Sequence, residues 1–116
     1  VGHGLAVENN ATLTSLSDLA ALTSVGGDLT VGRNDALTTL SGLDAVTSVG
    51  GDLNVFSNAA LTSLSGLDAL RTVGDDLYVY DNVSLCQDEV DELIAQLSSF
   101  SGSEDVYGNT GTCPAS

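Results

Sequence analysis

The stretch Val49–Asn58, which reads VGGDLNVFSN, occurs in closely similar form at Val25–Asn34 (VGGDLTVGRN) and at Val73–Asn82 (VGDDLYVYDN). The three starting residues are 24 positions apart. Leucines in the intervening segments keep the same interval, in the columns Leu13, Leu37, Leu61 and Leu85; Leu16, Leu40 and Leu64; and Leu19, Leu43 and Leu67. So many positions in register predict a chain built from stacked copies of one 24-residue unit.

Each unit places its apolar residues at fixed positions and is too small to bury them by itself. Stacking of successive units would join the leucines and valines into continuous columns that form the core. The alternation Leu-x-Val predicts a short parallel strand whose leucine and valine point inwards. The asparagine that follows predicts a ladder of side-chain hydrogen bonds to the backbone. The Gly-Gly-Asp at residues 26–28 and 50–52 predicts a tight corner with positive φ before the strand.

The pattern Leu-x-Val-x-x-Asn-x-x-Leu-Thr-x-Leu-x-x-Leu resembles the leucine-rich repeats of receptor L domains and their bacterial relatives. It differs from the commonest leucine-rich repeat in one spacing, because Leu37 lies three residues after Asn34 instead of two. The resemblance covers roughly Gly2 to Leu85. It implies a right-handed, mainly β, parallel β solenoid of 24-residue repeats, with residues 1–84 forming about 3.5 coils. For function it implies binding at a surface and no particular ligand.

The segment after the last repeat predicts one C-terminal helical cap. Ser84 and Gln87 have the spacing of a capping box, in which Ser84 is the N-cap and Gln87 reaches back to the backbone. Apolar residues follow at helical spacing, so an amphipathic helix is expected over about Leu85–Ser98. Its apolar face would consist of Val90, Leu93, Ile94 and Leu97.

Residues 85–116 are therefore predicted to be a cap that covers the last repeat, as a stack of repeats requires at its end. The part after the helix is expected to be a loop, with Val106 and Tyr107 turned inwards. Cys86 and Cys113 are the only cysteines, and two interpretations stay open. A disulfide between them would tie the loop back and would indicate an extracellular or cell-surface location. Two buried free thiols would instead be compatible with the cytosol.

Charge and composition exclude several classes of function. The chain has 16 acidic residues against two arginines, a formal net charge of −14. This balance offers no basic patch for nucleic acid or for an anionic membrane surface, and no apolar stretch is long enough to span a bilayer. His3 is the only histidine and is expected in a surface loop, so no nucleophile with a histidine base is evident. The chain is predicted not to be an enzyme and to use no cofactor.

An aspartate column offers one weak candidate for a metal site. Asp28, Asp52 and Asp76 precede successive strands at the 24-residue interval. Stacked carboxylates repel one another unless a cation or backbone donors lie between them. Calcium is therefore one interpretation, and aspartates that hydrogen-bond within the turns are the other. The sequence contains no EF-hand loop.

The outward positions of the predicted strands indicate a recognition surface. Phe56, Tyr78 and Tyr80 are three of the five aromatic residues and fall on one face near the C-terminal end, with Asn54 and Arg33 close by. Exposed aromatic rings among polar neighbours are typical of surfaces that bind protein or carbohydrate. The alternative is that the C-terminal loop folds over the rings as part of the cap.

The first repeat has no cap of its own, because Leu5, Val7 and Leu13 follow almost directly on Val1. Either more repeats or another cap precede it in a longer protein, or the open end stacks on copies of the chain and builds a filament or array. Ranks of Thr and Ser at the same interval allow an ice-binding face, and polar filling between inward leucines explains them equally well.

The leading hypothesis is a non-enzymatic binding or adhesion module, and a filament subunit or an ice-binding protein are the alternatives.

Overall fold

The computed structural model describes residues 4–97, 99–100, 102 and 104–111, apart from the side chains of residues 18, 65, 99 and 100. Within these residues the chain is mainly parallel β-sheet with one short α-helix, which confirms the predicted mainly β class. The elements in chain order are β1 (Leu5–Glu8), β2 (Ser24–Val25), β3 (Leu29–Gly32), β4 (Ser48–Val49), β5 (Leu53–Phe56), β6 (Thr72–Val73), β7 (Leu77–Tyr80), α1 (Gln87–Gln96), β8 (Ser99–Phe100) and β9 (Glu104–Tyr107), with short 3₁₀ turns at Ser17–Leu19 and Ser65–Leu67.

The strands form two parallel sheets. The first sheet has the order β1-β3-β5-β7-β9 and the second has the order β2-β4-β6-β8. From β1 to β7 each residue pairs with the one 24 positions further along the chain, so that Leu29 pairs with Leu53 and Leu53 with Leu77. The last pairing has a longer interval, because Val79 pairs with Val106.

The core consists of the inward leucines and valines of both sheets and of the segments between them. In the inner units these residues are buried; Leu53 and Val55, for example, have no exposed surface. Their counterparts in the first unit, Leu5, Val7 and Leu13, are only partly buried. The apolar columns therefore run without interruption through the middle of the molecule and become exposed at β1.

The Gly-Gly-Asp corners differ from the prediction. Gly50 and Gly51 do not have positive φ. A Cβ on Gly50 would collide with the carbonyl oxygen of Gly26, and one on Gly51 would collide with the carboxylate of Asp28. Glycine is needed at these corners because neighbouring units approach each other closely, and not because the backbone is left-handed.

Positive φ occurs instead directly after the strands of the first sheet. Strict alternation would point Arg33 inwards and Asn34 outwards. Arg33 adopts a left-handed conformation with φ of 56°, which shifts the alternation by one residue, so that Arg33 is exposed and Asn34 is buried. The same conformation recurs at equivalent positions, with φ of 59° at Asn9, 54° at Ser57, 56° at Asp81 and 71° at Gly108.

The asparagines that follow these left-handed residues form the predicted ladder. Asn58 Nδ2 donates to the carbonyl of Val31 at 3.0 Å and to Asn82 Oδ1 at 3.1 Å. Asn58 Oδ1 accepts from the backbone nitrogen of Asn34 at 3.1 Å and from its Nδ2 at 3.3 Å. The bond to a strand carbonyl of the preceding unit recurs from Asn34 to Val7, from Asn82 to Val55 and from Asn109 to Val79.

The helix α1 is shorter than predicted, and its N-terminus is capped differently. Its N-cap is Cys86, whose sulfur accepts a hydrogen bond from a backbone N–H of the first turn at 3.3 Å. The predicted capping box is wrong, because Ser84 Oγ donates to the carbonyl of Ala59 at 2.6 Å and Gln87 pairs with Asp91. The hydroxyl of Ser84 thus binds the preceding unit and is not available to the helix.

The helix packs against the segment between Leu64 and Leu70. Glu89 Oε1 accepts from the backbone nitrogen of Leu64 at 3.0 Å, and Gln96 Nε2 donates to the carbonyls of Leu67 and Leu70 at 2.5 and 3.0 Å. Its side chains thereby satisfy backbone groups of the last full unit. In the part of the chain that the structure describes, no helix has the length and apolar character needed to cross a bilayer.

The segment after α1 was expected as a loop, and it instead contributes β8 and β9, which extend both sheets by one strand. Val106 packs against the core as predicted, whereas Tyr107 is 57% exposed and does not turn inwards. Strand alternation is the reason, since it points neighbouring residues to opposite faces. Cys86 is disulfide-bonded; Cys113 and His3 lie outside the described residues, so the pairing of Cys86 with Cys113 stays a prediction.

Candidate functional site

The outward side chains of the first sheet stand in two columns that run across its strands. Because the strands are parallel and paired in register, corresponding residues lie side by side. One column contains Glu8, Gly32, Phe56, Tyr80 and Tyr107, and the other contains Ala6, Thr30, Asn54, Tyr78 and Asp105. The three aromatic residues of the first of these, Phe56, Tyr80 and Tyr107, are called the aromatic column below.

The rings of the aromatic column are stacked. The ring centroids of Phe56 and Tyr80 are 5.3 Å apart with 10° between the planes, and those of Tyr80 and Tyr107 are 5.2 Å apart with 13°. These distances are close to the spacing of neighbouring strands in a sheet, about 4.8 Å, and lie within the range of favourable aromatic pairs. Phe56 and Tyr80 remain partly exposed, and Tyr107 is exposed.

Arg33 lies at one end of the aromatic column. Its guanidinium carbon is 5.4 Å from the centroid of the Phe56 ring, within the range of a cation–π interaction. Arg33 follows β3 and Tyr80 belongs to β7, on opposite sides of β5, so the two side chains approach Phe56 from opposite sides. A Cβ on Gly32 would collide with the Phe56 ring, so glycine leaves the space that this ring occupies.

The structure therefore brings together Phe56, Tyr80 and Arg33 of the five predicted ligand-binding residues. The other two lie in the neighbouring column on the same face of the sheet. Asn54 Nδ2 donates to Thr30 Oγ1 at 3.3 Å, and the hydroxyl of Tyr78 donates to Asp76 Oδ2 at 2.9 Å. Both polar groups are thus held by neighbours within the sheet face.

The hydrogen bond to Asp76, together with desolvation, raises the pKa of Tyr78 from 10.0 to about 12. The pKa of Tyr78 is higher in the folded than in the unfolded protein. The interaction of its neutral hydroxyl with Asp76 therefore stabilises the fold fully below pH 10.0, and this contribution is lost as the pH rises to about 12. In a tyrosinate absorbance titration, Tyr78→Phe is expected to remove the component that titrates last, and Asp76→Asn to move it to lower pH. A late component that persists in Tyr78→Phe would contradict this assignment.

The aspartate column bonds to the backbone of the next unit. Asp28 Oδ1 accepts from the backbone nitrogen of Asp52 at 2.8 Å, and Asp52 Oδ1 accepts from that of Asp76 at 2.9 Å. Such bonds supply the backbone donors that stacked carboxylates require. Among the described residues, no group of three or more His, Cys, Asp or Glu is arranged to hold a metal ion.

Threonine hydroxyls of the Thr and Ser ranks also bond to the backbone of neighbouring units. Thr47 Oγ1 donates to the carbonyl of Thr23, and Thr62 Oγ1 donates to that of Thr38, both at 3.3 Å. This arrangement fits polar filling between inward leucines as well as it fits an ice-binding face. The ice-binding hypothesis gains no separate support from it.

Tyr107 is the residue of the aromatic column that the sequence analysis did not place on this face. A sequence signal for it exists, because Val79-Tyr80-Asp81-Asn82 and Val106-Tyr107-Gly108-Asn109 share the pattern Val-Tyr-x-Asn. Their interval of 27 residues, instead of 24, hides this match from a search at a fixed period.

Comparison of the chain with protein families, with curated proteins and with solved structures gives no match.

Proposed function

We propose that the chain is a right-handed leucine-rich-repeat solenoid of the receptor L-domain type, located outside the cell, that serves as a non-enzymatic binding or adhesion module. The aromatic column is the surface that holds the partner. The single observation that carries the proposal is the row of three partly exposed, mutually stacked rings on one sheet face. The register at intervals of 24 residues and the asparagine ladder support the solenoid.

The physical argument is one of available binding energy. Aromatic side chains bring large contact areas at low cost in conformational entropy and dominate many interfaces. The rings of the aromatic column restrain one another, and Phe56 and Tyr80 stand on strands whose inward residues are buried. A partner would therefore meet a surface that is already organised, which lowers the entropic cost of association.

The test uses arrays of polypeptides and polysaccharides probed with the purified chain. Selective retention is expected, and Tyr80→Ala should reduce it at least about tenfold, the range for a central aromatic residue of an interface. Tyr80→Phe keeps the ring and should retain binding. Equal urea midpoints of the variants would exclude unfolding as the cause. Retention that is unchanged in Tyr80→Ala would contradict the proposal.

Self-assembly is the second candidate, and the exposed apolar surface of the first unit favours it. Leu5, Val7 and Leu13 are partly buried, and Val7 and Leu13 line an open cavity of about 320 Å³. Head-to-tail stacking is opposed at the other edge, where Glu104 stands in the column of inward leucines and would place a charge in an apolar contact. Light scattering distinguishes the two functions. A filament subunit should form growing assemblies, and Val7→Asp should prevent their growth. A binding module should be monomeric both as the unmodified chain and as the Val7→Asp variant.

A further inference from the structure

We infer that the exposed end of the aromatic column, at Tyr107, binds an arginine or lysine side chain of a basic polypeptide. This inference rests on the proposed function and adds the chemical class of the partner. Three features carry it: the interaction that Arg33 already makes with Phe56, the exposure of Tyr107, and the carboxylates beside Tyr107.

The contact between Arg33 and Phe56 indicates how the column accommodates a cation. A guanidinium group lies over the first ring of the stack, on the side away from Tyr80. Tyr107 is the last ring of the column, as Phe56 is the first, and it stacks on Tyr80 with one of its two faces. Among the described residues β9 is the edge strand of the first sheet, and the Tyr107 side chain is 57% exposed. A guanidinium or ammonium group can therefore approach Tyr107 from its other side.

Two carboxylates lie beside this end of the column. Asp105 is exposed and precedes Tyr107 by two residues in β9, so both side chains project from the same face. Asp81 is exposed, and its carboxylate lies against Gly108, the residue that follows Tyr107. A cation over the Tyr107 ring would thus gain both the ring quadrupole and nearby negative charge.

The charge of the whole chain favours the same class of partner. A net charge of −14 attracts basic polypeptides and raises their rate of encounter. It repels nucleic acids and acidic polysaccharides. An uncharged carbohydrate can donate hydrogen bonds to Asp81 and Asp105 but gains nothing from the net charge of the chain. It is the competing outcome that the experiment separates from a basic polypeptide.

The experiment uses a fluorescent peptide of alternating glycine and arginine, and the same peptide with citrulline in place of arginine. Citrulline keeps the shape of arginine and removes its charge. The purified chain is expected to bind the arginine peptide and not the citrulline peptide. Tyr107→Ala should weaken this binding about three- to thirty-fold, the range of a cation–π contact, whereas Tyr107→Phe should keep it.

A matched pair of charge variants separates the site from the general field of the chain. Asp81→Asn with Asp105→Asn removes two charges beside Tyr107, and Asp44→Asn with Glu92→Gln removes two exposed charges elsewhere. The first pair should weaken binding about three- to tenfold and the second less than about twofold. Equal effects of the two pairs, equal binding of the citrulline peptide, or no effect of Tyr107→Ala would each overturn the inference.

The outcomes also distinguish this inference from the proposed function. One outcome is that binding of the arginine peptide is independent of Tyr107 while the array still shows a ligand whose binding Tyr80→Ala abolishes. In that case the cationic partner is contradicted and the proposed binding module is retained. If that ligand is an uncharged polysaccharide, the partner is carbohydrate. If neither the peptide nor any array ligand depends on the aromatic column, both proposals fall.

Discussion

Asn58→Ala is expected to lower the free energy of unfolding by about 3–5 kcal/mol, a large part of the stability of a small domain. Asn58 is completely buried and its amide makes four hydrogen bonds within the stack. Alanine would leave the carbonyl of Val31 and the backbone nitrogen of Asn34 without these partners. Each such buried group costs about 1–3 kcal/mol.

Urea unfolding measures this effect, and Asn54→Ala is the matched control. Asn54 is half-buried on the outward face of β5 and makes one side-chain bond, to Thr30 Oγ1. Its replacement should cost less than about 1 kcal/mol. A difference of less than about 1 kcal/mol between the two variants would mean that the ladder contributes little to stability.

Gly42→Ala is expected to lower the free energy of unfolding by about 2–5 kcal/mol for a different reason. Gly42 has φ of 114°, a conformation that costs a residue with a Cβ about 1–3 kcal/mol. The added Cβ would also collide with the backbone carbonyl of Leu16 in the preceding unit. Overpacking of this kind costs about 1–3 kcal/mol more, because a backbone atom cannot move aside as the end of a side chain can.

The neighbouring substitution Ser41→Ala provides the control for Gly42→Ala. Ser41 is exposed, so alanine there should change the stability by less than about 0.5 kcal/mol. Thermal unfolding of both variants measures the difference. A Gly42→Ala protein that melts together with Ser41→Ala would contradict the close approach of the two units.

The strands and their register were predictable because they depend on burial alone. An inward Leu or Val at a constant interval has one way to be covered, which is to lie beside its equivalent in the next unit. The same reasoning places Phe56 and Tyr80 side by side, since outward residues follow the register of inward ones. Arg33 was also placed near these rings from its position in the repeat.

The left-handed residues were not predictable from residue type. Asn9, Asp81 and Gly108 are of residue types that adopt positive φ readily, but Arg33 and Ser57 are not, so residue type alone does not mark the position. Their conformation is imposed by the buried asparagine that follows, whose hydrogen bonds to the stack offset the local strain. At the corner glycines the prediction of positive φ was wrong, because close approach of two backbones selects glycine as strongly as positive φ does.

The C-terminal part was predicted least well because the interval changes there. The helix α1 is inserted between β7 and β9, so β9 and Asn109 fall 27 residues after their partners. A search at a fixed interval therefore misses both the last strand and Tyr107. The capping box failed because Ser84 has a competing acceptor, the carbonyl of Ala59, which exists only in the stacked structure.

The direction of the asparagine ladder has a consequence for the order of events during biosynthesis. The carbonyl of Val7 receives its amide donor from Asn34, and that of Val31 receives it from Asn58. Each segment that leaves the ribosome thus remains incomplete until the next segment emerges and docks on it. Nascent chains should therefore become protected from proteases in steps of one unit, each step following the emergence of the next unit, as when Asn109 binds the carbonyl of Val79.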